Sequence, residues 1–436
     1  MSELKEKIKN FLSNLSDEQK LFGYIANKID SFDKEKDSVY YSGPYWDDEE
    51  IIGIIESVLA GKWLSSGEKV RKFELEFSRK FNKKHSVMVN SGSSANLVMI
   101  AALKKYFQWQ DGDEIIVSSV GFPTTLNPII QNNLKPVFVD IKIDDLNWDI
   151  EEIRKKITPN TRALFSSPVL GNPYDFDAVL EICADHNLEL VGDNCDSLGS
   201  KWREKYLTDY SISSSCSFYP AHHITTAEGG MVSSDNSEII TLARSIAWWG
   251  RDCYCVGQAN LLPCGTCGKR FDKWIDCYDG IIDHKYFFTN IGYNLKPLDL
   301  QGAIGLAQLK KFEEIHRKRR LHKKKIQYIL EKIPEIRIPD ELPKSETSWF
   351  GVPVICSTRD TKHRLVNHLE KNRIQTRNYF AGNILMHPAY KNLDDFRKYK
   401  IANQVLDRIF FLGTSPSYTN KTIEYVDDVV SKYLKS

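Results

Sequence analysis

The 436-residue sequence has no surplus of either charge, with 59 Lys and Arg against 58 Asp and Glu, so nothing global marks a nucleic-acid or membrane-surface partner. It lacks any uncharged apolar run approaching the length of a membrane span. Its opening, MSELKEKIKNFLSNL, breaks every apolar stretch with charge, which leaves no signal-peptide core and makes the cytoplasm the expected location. Internal repeats and low-complexity tracts are also missing. A composition of 42% hydrophobic and 27% charged residues is ordinary globular usage, and the length predicts two to three domains at roughly 150 residues each.

What the chain does hold is alternation. The β-branched runs HSVMVN, DEIIVSS, KPVFVD, TRALFSS and LELVGDN are separated by helical patterns such as Ser94 to Lys105 and Phe176 to His186. Strands alternating with helices predict an α/β fold with a mostly parallel central sheet and ligands at the carboxyl ends of its strands. Residues 1–45 read as a helical N-terminal arm ending near the aromatic stretch SVYYSGPYW, 46–312 as a large domain with a cysteine-rich insertion over about 250–285, and 313–436 as a long helix plus a smaller C-terminal α/β domain. The basic run HRKRRLHKKK lies in that helix beside an apolar stripe of Leu309, Phe312, Ile315, Ile326 and Ile329, so it reads as a solvated face.

Three segments carry chemistry. Asn90-Ser91-Gly92-Ser93-Ser94-Ala95-Asn96 is a small-residue turn from strand to helix, where free amides and the helix dipole suit a phosphate, although a plain tight turn uses the same residues. Asp193, in GDNCD, ends a strand that reads as buried, so its charge needs a cationic partner. The third segment, SFYPAHHITTAEGG from Ser217 to Gly230, contains no lysine.

In this order, and with Gly292-Tyr293-Asn294 and the helix QGAIGLAQL behind them, these segments resemble the DegT/DnrJ/EryC1/StrS family of vitamin B6-dependent sugar aminotransferases and dehydrases, from about residue 50 to the C-terminus. The resemblance implies an aspartate-aminotransferase-like fold (fold type I). On matching positions it implies that Gly92, Ser93 and Ser217 hold the phosphate of pyridoxal or pyridoxamine phosphate, that Phe122 stacks on the pyridine ring and that Asp193 pairs with the protonated ring nitrogen. Asp196 stands where the family usually has a glutamine near the ring hydroxyl. Asn294 matches an asparagine supplied by the neighbouring subunit, which implies a homodimer.

His222 departs from the aminotransferase pattern. The family's aminotransferases carry a lysine there, which binds the cofactor covalently and moves protons. Imidazole cannot hold the aldehyde in that way, but it can act as a base near neutral pH. The resemblance then narrows to 3-dehydrases with the same change, which work with pyridoxamine phosphate, and His222 is the candidate base; His223 beside it reads as packing. The implied substrate is a nucleotide-linked 4-keto-6-deoxyhexose, CDP-4-keto-6-deoxyglucose foremost, deoxygenated at C-3 on the way to the 3,6-dideoxyhexoses of lipopolysaccharide O-antigen. The segment IQTRNYFAGNILMHP, with Arg377, Tyr379 and His387, resembles the family's substrate-side loop.

Nine cysteines in a reducing compartment are not expected to form a disulfide framework. Cys183, Cys216 and Cys356 read as core residues, whereas five of the nine fall between Cys253 and Cys277. Fifty-seven residues separate Cys195 from Cys253, and one separates Cys253 from Cys255. This resembles an iron-sulfur subclass whose 2Fe-2S cluster sits on C-x57-C-x-C and a further cysteine before GKRF, which implies Cys195, Cys253, Cys255 and Cys267 as ligands, with Cys264 in contention for the last place. Such a cluster implies an outside electron donor, an NADH-dependent reductase carrying flavin and iron-sulfur. Structural zinc suits the same thiolates. Two further readings stay open: a cluster-free dehydratase that regenerates its cofactor amine from glutamate, and a zinc-stabilised, non-catalytic sugar-nucleotide-binding protein.

Overall fold

The computed structural model describes residues 2–14, 32–60, 63–253, 255 and 267–435. Strands β1 (His85–Val89), β2 (Glu114–Ser118), β3 (Lys135–Val139), β4 (Thr161–Ser166), β5 (Glu189–Asp193), β6 (Ser213–Ser217) and β7 (Gly230–Ser234) form one sheet in the order β1-β7-β6-β5-β4-β2-β3. From β6 through β5, β4 and β2 to β3 every pairing is parallel. Ile115 to Val117, Ala163 to Phe165 and Val191 are buried whichever face they point to, as a parallel sheet covered on both sides requires.

β7 is the exception, antiparallel to both β1 and β6. The connection from Phe218 to Gly229 contains no helix that could carry the chain across the sheet to a parallel strand. Its register places Gly230 opposite both Val89, the last residue of β1, and Ser217, the last of β6. The turn after β1, the end of β6 and the whole 218–229 connection therefore meet at one end of the sheet.

Helices α1 (Ser2–Ser13), α2 (Asp48–Ala60), α3 (Glu68–Lys80), α4 (Gly92–Tyr106), α5 (Pro123–Gln131), α6 (Ile150–Lys156), α7 (Phe176–His186) and α8 (Ser237–Ala247) precede the 32-residue α9 (Asp299–Leu330). A hairpin of β8 (Lys273–Ile275) and β9 (Tyr278–Ile282) lies in the cysteine-rich region. A second, antiparallel sheet follows, with β10 (Ile336–Arg337), β11 (Gly351–Cys356), β12 (Thr376–Asn378) and β13 (Ile409–Gly413) in the order β10-β11-β13-β12. It covers its own core together with α10 (Arg359–Lys371) and α11 (Asn420–Tyr433). α9 serves both cores, the first through Phe312 and Ile315 and the second through Ile326, Ile329 and Leu330.

The basic run in α9 is not simply a solvated face. His316, Arg319, His322 and Lys323 are buried, and only their neighbours, such as Arg317 and Lys324, are exposed. Positions 312, 315, 316, 319, 322, 323 and 326 share one face at helical spacing, so the apolar stripe continues straight through the charges. Two of these polar ends are met locally: His322 Nδ1 meets the Ser415 carbonyl at 2.8 Å and Lys323 Nζ meets Asp340 at 2.8 Å.

In the N-terminal region α1 packs on α2 through Ile8, Leu12 and Ile52. The expected helical positions Leu15, Leu21, Ile25 and Ile29 lie outside the described residues. From Val39, which bridges to Ile374, to Tyr45, whose hydroxyl donates to Glu314 at 2.6 Å, the chain is built into the body of the protein. Among the described residues no helix is long and apolar enough to cross a membrane.

Candidate active site

α4 begins at Gly92 directly after β1, capped by Ser91, whose side chain accepts from the Ser94 amide at 3.1 Å. A Cβ at Gly92 would fall 2.3 Å from Ser217 Cβ, and one at Gly230 would fall 2.2 Å from the Ser91 carbonyl oxygen. Three backbone segments thus touch where no side chain fits. Ser93 is exposed beside the first amides of the helix, while Ser217 is buried with its Oγ facing the Tyr219 amide at 3.3 Å. This is a cradle of amides and hydroxyls at a helix N-terminus, suited to a phosphate.

Asp193 ends β5 and is buried. Its Oδ2 accepts from Asn96 Nδ2 at 2.8 Å and Thr125 Oγ1 at 2.7 Å, and its Oδ1 accepts from the Cys195 amide at 3.2 Å. All three partners are neutral, so the cation that a buried carboxylate calls for is not supplied by these groups. Sequence reasoning missed Asn96 and Thr125 as aiming groups. Asn96 closes the small-residue turn singled out above, and a polar residue on the sheet-facing side of a helix was the available signal. Asn96 is itself fixed by Ser215 Oγ at 2.5 Å.

His222 stands in the turn after β6, its amide bonded to the Tyr219 carbonyl at 3.0 Å, with its side chain 15% exposed. Its Nδ1 has no hydrogen-bond partner and lies 3.7 Å from Asp196 Oδ1. Burial, and then the charge of Arg319, push the imidazole down to about 3, while burial and then Asp193 push Asp196 up to about 7. Their approach is thus no ion pair: it sets a neutral base beside a carboxyl group close to its midpoint at neutrality. His223 turns the other way, its Nε2 meeting the Ser348 carbonyl at 2.8 Å.

Four buried imidazoles are held toward the neutral form chiefly by burial: His222, His223, His316 and His322. Unfolded histidines take up protons near pH 6.5 and these resist, so stability falls as pH drops below about 6.5, with Asp196 opposing by the single proton it gains below about 7. The thermal midpoint at pH 5.5 is expected below that at pH 7.5, and the reverse order would contradict this account.

Phe122 caps the start of α5 and is 55% exposed, edge-on to Phe380, so one face is open to a flat ring. Asn294 is exposed, and its side-chain oxygen accepts from Lys296 at 2.8 Å rather than from the phosphate cradle. Arg377 is exposed with its guanidinium 4.2 Å from the Tyr41 ring centroid; Tyr379 is buried, and His387 is bonded to the Ala381 carbonyl.

The cysteines divide. Cys195 lies by the cofactor-side carboxylate, its thiol pushed well above the usual range by burial and by Asp193. Cys253 is raised by burial, with Cys255 and Cys267 as its thiol neighbours, and Cys267 Sγ lies 3.6 Å from His284 Nε2. Cys264 lies outside the described residues. Among the described residues no three His, Cys, Asp or Glu side chains group so as to hold a metal, so the expected set of Cys195, Cys253, Cys255 and Cys267 is not gathered there into one site. Cys183, Cys216 and Cys356 are buried.

The family model described as the DegT/DnrJ/EryC1/StrS aminotransferase family matches residues 46–431. The chain belongs to this family. Within it, the chain is 38% identical over 90% of its length to dTDP-4-dehydro-2,6-dideoxy-D-glucose 3-dehydratase of Saccharopolyspora spinosa, covering 86% of that protein. It is 35% identical to the lipopolysaccharide biosynthesis protein RfbH of Salmonella typhimurium, over 88% of each chain. Among solved structures, Escherichia coli GDP-4-keto-6-deoxy-D-mannose-3-dehydratase with bound hydrated PLP superposes with a TM-score of 0.78 at 31% identity, over 90% of this chain and all of that one. The architecture is the fold type I, aspartate-aminotransferase-like arrangement of the family.

Proposed function

We propose that this protein is a 3-dehydratase for a nucleotide-linked 4-keto-6-deoxyhexose, working with pyridoxamine phosphate held by non-covalent contacts. The observation that carries the reading is His222, an imidazole with a free Nδ1 where covalent attachment needs a primary amine. The named activities of two relatives, both 3-dehydratases, support it. They act on dTDP- and GDP-linked sugars; for this chain CDP-4-keto-6-deoxyglucose is the substrate proposed, in the service of lipopolysaccharide O-antigen.

The residues present fit the cofactor. Asp193 is a buried carboxylate with neutral partners, and the Gly92 cradle is closed to any side chain. When bound, pyridoxamine phosphate supplies an amine for the sugar's ketone and a conjugated ring that accepts an electron pair as a C–H bond breaks. Asp193, aimed by Asn96 and Thr125, holds the proton on the ring nitrogen. The Gly92 and Ser93 amides and the Ser217 hydroxyl hold the phosphate, Phe122 covers one ring face, and Asp196 faces the ring hydroxyl. His222 would take up at Nδ1 the proton released from that C–H bond, and the sugar's 3-hydroxyl would leave with its bonding pair as hydroxide, so that proton and hydroxide together amount to water. Asn294, exposed here, reaches the phosphate from a second copy in the homodimer we propose. Gly92→Ala is expected to weaken pyridoxamine phosphate binding about tenfold or more, measured by fluorescence titration; unchanged affinity would place the phosphate elsewhere.

The cysteines bear on how the cycle is completed. A 2Fe-2S cluster on Cys195, Cys253, Cys255 and Cys267, served by an NADH-dependent flavin and iron-sulfur reductase, is favoured by their spacing and by the neighbouring Cys253, Cys255 and Cys267 thiols. Regeneration from glutamate without a cluster is favoured by the arrangement among the described residues, where no three His, Cys, Asp or Glu side chains group so as to hold a metal. Anaerobic purification with iron, sulfide and zinc analysis separates them, alongside turnover of the keto sugar followed by mass spectrometry. About two irons and two sulfides per chain, lost in Cys253→Ser, support the cluster. An iron-free protein that turns over with glutamate supports the second route, and a zinc-loaded protein with no turnover would overturn the dehydratase reading.

A further inference from the structure

We propose that Arg319 is the positioning residue for His222, a guanidinium clamp that grips the backbone of the His222 turn and ties it to the small sheet. The inference rests on His222 being the base.

Arg319 sits midway along α9 with no exposed surface. Its Nη2 donates to the carbonyls of Ala221 at 3.1 Å and His222 at 3.0 Å and faces Ser42 Oγ at 3.4 Å. Its Nη1 reaches the Phe350 carbonyl and Thr414 Oγ1, both at 3.4 Å, at the ends of β11 and β13. Nε has no partner. From the other side Ser42 Oγ donates to the same Ala221 carbonyl at 2.6 Å. Two successive carbonyls, the last two before His223, are thus fixed by one planar fork and one hydroxyl.

A buried guanidinium whose hydrogen-bond partners are all neutral is a poor way to stabilise a fold, since an apolar side chain of similar volume is often as good or better. What this one does that methionine cannot is hold carbonyls. What it does that lysine cannot is reach two elements at once with a rigid fork. Through one side chain Arg319 also joins the His222 turn, the arm at Ser42 and the small sheet. The charged and titratable groups around His222 are Asp193 at the end of β5 and Asp196 after it, Arg319 on α9, and Tyr219 and His223 on its own turn; Tyr41, Arg377 and Tyr379 stand behind Asp196. Arg319 is the cation that opposes a proton on His222.

The test compares Arg319→Lys, Arg319→Met and Ser42→Ala in the pyridoxamine phosphate-loaded enzyme. Misplacement of the base is expected to lower kcat by up to about 100-fold in both Arg319 variants, with KM and cofactor affinity near the parent values. Removing the charge lets His222 protonate more readily, so the acid limb of kcat/KM moves to higher pH in Arg319→Met and much less in Arg319→Lys. A parental kcat and pH profile in both variants overturns the clamp. So does a loss wholly accounted for by fewer folded, cofactor-loaded sites. If neither Arg319 variant folds, Ser42→Ala decides: a several-fold lower kcat supports the clamp, and an unchanged kcat overturns it. His222→Asn keeps the two readings apart. If it retains parental turnover, the base assignment itself fails. If it is inactive while Arg319→Lys is normal, only the clamp fails.

Discussion

His222→Asn is expected to lower turnover by a factor on the order of 10²–10⁴, the usual contribution of a positioned general base, while pyridoxamine phosphate affinity changes little. The reason lies in the turn after β6. The ring is neutral there, pushed down to about 3 by burial and by Arg319, and its Nδ1 has no partner to release before accepting a proton. Asparagine keeps the polarity and approximate shape and removes only the basicity. His222→Lys restores the amine that covalent attachment requires, so that variant is expected to trap pyridoxal phosphate in a form stable to dialysis and reducible by borohydride. Dialysable cofactor in His222→Lys, or normal turnover in His222→Asn, would move the chemistry to another residue.

Asp193→Asn is the second large effect, on the order of 10²–10³ in kcat, the scale on which a single preorganised electrostatic partner acts. The amide is nearly isosteric and keeps an oxygen for Asn96 and Thr125, so the thermal midpoint without cofactor is expected to stay within a few degrees of the parent. What is lost is the negative charge that keeps the ring nitrogen protonated. The bound cofactor's absorption and its pH dependence should change together with kcat. A variant that retains both activity and spectrum would show that the ring lies elsewhere.

Much of the site was legible because it is built from contiguous segments. The turn at Gly92, Asp193 and the His222 segment each announce themselves locally, and helix and strand limits follow residue periodicity closely, as Phe176–His186 illustrates. What the pattern did not supply is β7: it lies outside the β-branched runs singled out as strands, and only the register with Val89 and Ser217 reveals it and the reversed direction in which it runs. Arg319 was hidden for a different reason. Inside HRKRRLHKKK every residue is polar or basic, apart from one leucine that turns out to be exposed, so composition masks the buried stripe that passes through Arg319 and Lys323. The hairpin of β8 and β9 was masked by the cysteines around it, which drew the reading toward metal ligation.

The shared register at Gly230 constrains how such a chain can vary in length. Because Gly230 is paired on both sides, to the end of β1 and the end of β6, its position is fixed twice, and the connection from Phe218 to Gly229 is a loop closed between two fixed posts. One residue added or removed there would swing His222 away from Asp196 without disturbing any strand, leaving a protein that folds but has its base out of place. Exchanging a side chain on that connection, by contrast, leaves the posts untouched. New chemistry on this scaffold is therefore expected to arise by substitution between residues 218 and 229, while insertions and deletions accumulate in the region of the cysteines and the β8–β9 hairpin.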